Sequence, residues 1–302
     1  MLVIAQLVNA LTIGTLYALM ALGLSLIFGV LKLVNFAHGE SMMVGGYLYY
    51  FLATSFLVTS FGIPLYLAFI LTIPFLYILG IIIEKFFLRS AYGRNMARYD
   101  EYVILVTFTL GIFLQNLALP LFGPYNRQAP ALFKGRVIVG DLVIVGDRIT
   151  AAGIAFIIIG VLLFFLYRTY LGKGLRAVAQ NPGAASIIGI NVTRMRGLAF
   201  GVGISLSGIS GALLGPIFIV NPGMGIPFAV KAFVIVVLGG MGSIKGSIIG
   251  AYLLAIVESF GSVYLPDPTR ALAYKDAYGL LLLILVLLVR PQGLFGEKER
   301  RA

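Results

Sequence analysis

Residues 1–30 read MLVIAQLVNALTIGTLYALMALGLSLIFGV, with no charged side chain among them. A helix that crosses a bilayer needs about 20 predominantly apolar residues. This stretch is longer than that and has no basic leader, so it reads as a retained first span rather than a cleaved signal. Further apolar segments follow at 41–61, 63–83, 101–121, 149–167, 197–220, 228–240, 244–262 and 276–290. The segment at 228–240 is short for a span and is compatible with a re-entrant element, so the expected count is eight or nine. Nine spans of about 20 residues would occupy roughly 180 positions and leave the rest for loops and ends.

Composition agrees with this reading. The chain has 302 residues, 60% hydrophobic and 11% charged, with a mean hydropathy of +1.04. Soluble domains carry about a quarter charged residues, and a soluble globule of this length could not hide so much apolar surface. The expected fold is therefore an all-α polytopic transmembrane bundle, read as a single transmembrane domain over 1–302. A soluble enzyme and a nucleic-acid module are excluded. The net charge of +11 fits loops held beside anionic lipid better than a nucleic-acid partner. No cysteine is present, so disulfides, thiolate chemistry and Cys-ligated metals drop out. The C-terminus carries no lipidation box.

Lys and Arg set the expected orientation. One alternating set of loops holds Lys32, the group from Lys85 to Arg98, the group from Arg168 to Arg196, Lys245, and the group from Arg290 to Arg301. It carries about twice the basic residues of the other set, which places it in the cytoplasm, with the N-terminus outside and the C-terminus inside. The outer loop 122–148 is basic as well. Its stretch from Val137 to Val145 alternates enough for a small hairpin turning at Gly140-Asp141, serving either as a loop cover or as a contact for a soluble partner.

The spans are rich in small residues, with 37 glycines in the chain. Glycine lets helix backbones approach closely in lipid. Gly197 and Gly201, then Gly211 and Gly215, are four apart within one segment. Gly242, Gly246 and Gly250 form a second run, expected as one stripe of a helix. Ser205 and Ser207 add short polar groups. Helix breakers stand at Asn35-Phe-Ala-His-Gly39 and Asn221-Pro-Gly-Met-Gly225. Each is either a surface loop or broken backbone lining a cavity, since irregular backbone survives at membrane depth only when covered by protein or facing a cavity.

Ionisable groups within the spans are few. Glu258 is the clearest, with Lys231 as its expected partner, and a structural pair is favoured over a proton carrier. His38, the single histidine, is read as a local hydrogen-bonding residue beside Glu40 at the inner end of the first span. One histidine cannot build a His-rich metal site, and no cofactor motif is present. The chain lacks G-x-x-x-x-G-K-[ST], HExxH and GxSxG, so it neither cradles ATP phosphates nor offers a hydrolytic site.

The loop 168–196 reads RTYLGKGLRAVAQNPGAASIIGINVTRMR, basic and without an acid. Asn181 suits a helix N-cap and Pro182 its first position. Residues 183–188 then make about two turns, stopped by Gly189. So short a helix is unstable alone and must dock on something. Its apolar residues Ala184, Ala185, Ile187 and Ile188 fit either a knob for a cytoplasmic protein or a helix lying on the bundle itself.

Gly183-Ala184-Ala185-Ser186-Ile187-Ile188-Gly189 resembles the EAA-xxx-G coupling loop of ABC importer permeases, with Gly183 where that motif has Glu. More broadly, TIGTLYALMALGLSLIFGVLKLVNFAHGE (12–40), GLRAVAQNPGAASIIGINV (174–192), KAFVIVVLGGMGSIKGSIIGA (231–251) and LLLILVLLVRPQGLFG (281–296) resemble the branched-chain amino acid permeases of the LivH type, whose larger family includes ribose-type permeases. The resemblance implies a multi-pass subunit of the cytoplasmic (inner) membrane, paired with a second, related permease. It also implies two cytoplasmic ATPase subunits and an extracytoplasmic solute-binding protein delivering an amino-acid substrate. The coupling contact would fall on Asn181, Pro182, Gly183, Ala184, Ala185, Gly189 and Ile190, and a bulky charge at Ala185 is expected to uncouple transport. Asn9, Thr12, Thr107, Ser205 and Ser207 are candidate path residues or, equally, interhelical hydrogen bonds. A secondary amino-acid transporter and a permease for amide- or urea-like substrates are the alternatives; the first would need an ion or proton carrier such as Glu258.

Overall fold

The computed structural model describes residues 2–55, 62, 64–89, 98–133, 135–139, 142–264 and 274–296. Helix α1 (Leu2–Leu31) is followed by α2 (His38–Thr54), α3 (Leu65–Ile83) with a π turn at Glu84–Leu88, and α4 (Tyr99–Phe122). Two short strands come next, β1 (Arg136–Val139) and β2 (Leu142–Val145). They pair antiparallel with Arg136 opposite Val145; the expected Gly140-Asp141 turn lies outside the described residues. Helices α5 (Gly146–Arg168), α6 (Tyr170–Gln180), α7 (Pro182–Ile187), α8 (Val192–Leu214), α9 (Gly225–Gly239), α10 (Ile244–Tyr264) and α11 (Lys275–Val289) complete the order. The protein is a multi-pass membrane bundle of helices, with this short strand pair beside them.

Among the described residues, six helices are long and apolar enough to cross a membrane: α1, α3, α4, α5, α8 and α10. The other apolar segments form shorter helices, α2 with 17 residues and α9 and α11 with 15 each. Fifteen residues rise about 22 Å, less than the roughly 30 Å hydrocarbon core. For α2 and α9 the reason is visible, because both begin inside the bundle.

Helices α1 and α8 form its axis. The apolar window of each is 89% buried, against 28% for α4 and α5. Small residues make the close crossings possible. A methyl on Gly23 would stand 3.2 Å from His38 and overlap the backbone of Gly203 on α8. Gly45 of α2 and Gly208 of α8 are in backbone contact in the same way. Gly201 meets the Tyr77 ring and Gly80 of α3, Gly211 meets the Met42 carbonyl, and Gly197 meets the Glu84 carboxylate. Gly246 and Gly250 lie against the backbone of α9. Two readings need correction. Gly215 is the residue that ends α8, not part of it. Gly242 precedes α10 with φ +83°, in a turn against Gly29, so it belongs to no helical stripe; the left-handed backbone it adopts is the one glycine enters freely.

One end of the bundle gathers the end of α1, the π turn, α6, α7 and the α9–α10 turn: Gly242 touches Gly29, and Gly197 lies by Arg89. We call it the basic end, for the Arg and Lys residues on those segments.

Candidate functional site

Two regions stand out: the α6–α7 projection at the basic end and the two helix starts at the bundle's centre.

Thr169 caps α6 by accepting from the Gly172 N–H at 3.1 Å. The buried face of α6 is Gly172, Gly174, Leu175 and Val178. Its other face carries Lys173 over the Tyr170 ring and Arg176 over the Tyr167 ring, at 5.5 and 5.0 Å. It is thus an amphipathic helix lying along the bundle. Asn181 then ends α6 and caps α7, its Oδ1 accepting from the Ala184 N–H at 3.0 Å, with Pro182 in the first turn. Gly189, at φ +84°, closes α7. Its N–H donates to Ser186 O and the Ile190 N–H donates to Ala185 O, both at 3.0 Å. This is the Schellman closure. Asn191 immediately caps α8, accepting from the Arg194 N–H at 2.9 Å.

Within α7 the apolar residues divide. Ala185 is 2% exposed and seats the helix on its own chain, while Ile187 and Ile188 are 87% and 74% exposed. Ala184 also faces out. The expectation that Ala185 is itself a contact for a partner is therefore corrected: it is the anchor, and the isoleucines are the free face. Ile187 and Ile188 are thus two neighbouring large aliphatics on the outer side of this capped turn.

At the centre, α1 ends at Leu31 and the chain turns back. His38 Nε2–H donates to the Met20 carbonyl at 3.0 Å, a point roughly 16 Å before the end of α1 at 1.5 Å per residue. Ser207 of α8 donates to the His38 carbonyl at 2.7 Å. Asn35, His38, Glu40 and Ser41 are all buried. His38 and Glu40 thus lie within the bundle rather than at the inner end of the first span. The second break comes to the same place: a methyl on Gly225, the first residue of α9, would stand 2.8 Å from the Gly39 carbonyl carbon. Two helices begin back to back inside the protein, which is where irregular backbone is tolerated at membrane depth.

The candidate path residues hold separate hydrogen bonds. Thr107 accepts from the Phe36 N–H at 3.3 Å, and with Ser207 it pins the first break. Asn9 accepts from Arg148 at 2.9 Å and donates to Ser259 at 3.3 Å. Thr12 and Ser205 donate to carbonyls of their own helices. Glu258 is 1% exposed and tied on several sides. It pairs with Lys231, accepts from Tyr17 OH at 3.0 Å, and lies 3.5 Å from Lys275. Lys231 also reaches Asp276 at 2.7 Å. The sequence reading found the Lys231–Glu258 pair and missed Lys275 and Asp276, which join it from α11. It also missed the pair of fully buried Glu84 with Arg89 at 2.8 Å.

A family model described as branched-chain amino acid transport system / permease component matches residues 6–289. The chain belongs to this family. It is 34% identical to the high-affinity branched-chain amino acid transport system permease protein BraD of Pseudomonas aeruginosa, over 97% of this chain and 96% of that one. It is 33% identical to LivH of Escherichia coli K12 over the same shares. It is 30% identical to the probable LivH of Methanocaldococcus jannaschii, over 95% of this chain and 91% of that one. No solved structure matches it. Membership places this permease among transport components rather than enzymes.

Proposed function

We propose that this permease is one subunit of an ATP-driven importer that carries branched-chain amino acids across the cytoplasmic membrane. The observation that carries the reading is α7: seated by Ala185, capped by Asn181 and Gly189, and presenting Ile187 and Ile188. On this reading the basic end faces the cytoplasm and the N-terminus lies outside. Two ATPase subunits grip the turn from Asn181 to Ile190, including Pro182, Gly183 and Ala184. A second, related permease covers part of the exposed α4 and α5 faces, and an extracytoplasmic binding protein delivers leucine, isoleucine or valine.

The mechanism follows from the chain path. Only Ile188–Asn191 separates α7 from α8, and α8 packs on α1, α2 and α3. When ATP draws the ATPases together, α7 moves and α8 rocks, passing the displacement to the start of α2 that Ser207 pins. A packed core responds to such a push by switching between discrete arrangements, so the path between two permeases opens to one side and then the other. Glu258, the carrier the sequence offers a secondary transporter, is committed to Lys231, Lys275 and Tyr17.

The test is uptake by the complex reconstituted in vesicles with its binding protein. Leucine accumulation should require ATP on the α7 side and survive an ionophore. Accumulation that persists without ATP and collapses with the ion gradient would reverse the assignment.

A further inference from the structure

Helix α4 presents Thr107, Gly111, Gln115 and Leu119 at spacing four, one stripe of a helix. Each meets something different. Thr107 holds the Phe36 N–H. Gly111 lies against Glu40: a methyl there would stand 3.3 Å from Glu40 Oε2. Gln115 and Leu119 line a recess of about 370 Å³ at the end opposite the basic one, together with Asn116, Asn126, Asn221 and Gly223. The recess therefore opens one helical turn from a carboxylate that is 7% exposed and whose Oε2 has no hydrogen-bond partner among the described residues.

A carboxylate buried at this depth is costly unless paired. Glu258 and Glu84 both have cationic partners, whereas no cation of this chain's described residues reaches Glu40. The recess is in the size range of small-molecule sites, and its side-chain amides can replace water around a polar head group without binding it tightly. The stripe also ends on aromatic rings, Phe36 packing on Phe108 and Phe233 at 6.5 and 5.4 Å, a surface suited to an aliphatic side chain.

We propose that Glu40 is the site that receives the substrate's α-ammonium group, reached from the amide-lined recess along the α4 stripe when α4 parts from α2 at Gly111. This rests on the amino-acid import proposed above. It adds a specificity-determining residue, because only a solute with a cationic group gains the pairing that the buried carboxylate lacks.

The experiment measures leucine imported and ATP hydrolysed by the reconstituted complex with its binding protein. Glu40→Gln should lower import at least tenfold while stimulated hydrolysis stays within about twofold, and Glu40→Asp should recover part of the import. Gln115→Lys, at a half-buried recess position, places a tethered ammonium one turn from Glu40 and should block import. Import by Glu40→Gln or Gln115→Lys at the wild-type rate overturns the assignment. So does a parallel fall of import, hydrolysis and complex yield in Glu40→Gln when Gln115→Lys still imports, since the carboxylate is then structural. If the wild-type complex imports no amino acid, the importer reading itself fails, and that result is separate from these.

Discussion

Lys231 neutralises two carboxylates at once, Glu258 from α10 and Asp276 from α11. Removing one partner of a buried ion pair typically costs about 3–5 kcal/mol. Lys231→Met is therefore expected to lower the thermal midpoint of the detergent-purified protein markedly, and the double variant Lys231→Met with Glu258→Gln to recover much of the loss. A single variant as stable as wild type would show that the cluster contributes nothing to folding. The main pair was legible in the sequence because the two groups are isolated charges in apolar runs. Asp276 and Lys275 were not, since their reach to Lys231 and Glu258 depends on how α11 packs. Glu40 was misjudged for a related reason. Its neighbours in the chain suggest the end of a span, and only the hydrogen bond from His38 to Met20 reveals the fold-back.

At the scale of the element, α7 is a short helix made rigid by its ends. Asn181→Ala should cost about 1 kcal/mol of local stability through the lost cap, and Gly189→Ala roughly 1–2 kcal/mol through the left-handed backbone. Both should raise amide exchange in residues 182–190 while the bundle helices stay protected. The free face behaves differently. Ile187→Asp with Ile188→Asp removes no buried contact, so the fold should hold while leucine imported per ATP falls at least tenfold; wild-type coupling in that variant would remove α7 from the mechanism. The boundaries of α7 were legible because Asn, Pro and Gly act through local backbone chemistry. Which face turns inward was not, because apolar residues lie on both faces and the seat is formed by α6 and α8. Ala185→Arg, attractive from the sequence, would unseat the helix rather than probe its contact.

For the whole molecule, the buried axis of α1 and α8 contrasts with α4 and α5, whose apolar windows are mostly exposed. The apolar runs revealed the order of the apolar helices, though only six of those described are long enough to span where eight or nine were expected. They could not reveal that α2 and α9 start inside, since half-helices and full spans are equally apolar and differ only in packing. The account depends on a separate motor grasping the projection at the basic end and moving the axis. The chain has no cysteine, so Ile187→Cys supplies a unique thiol at that spot. In the assembled complex, a short thiol-reactive crosslinker should join this thiol to an ATPase subunit, with a yield that changes when ATP binds. A thiol that reacts only with small water-soluble reagents, and never joins a nucleotide-binding subunit, would contradict the account.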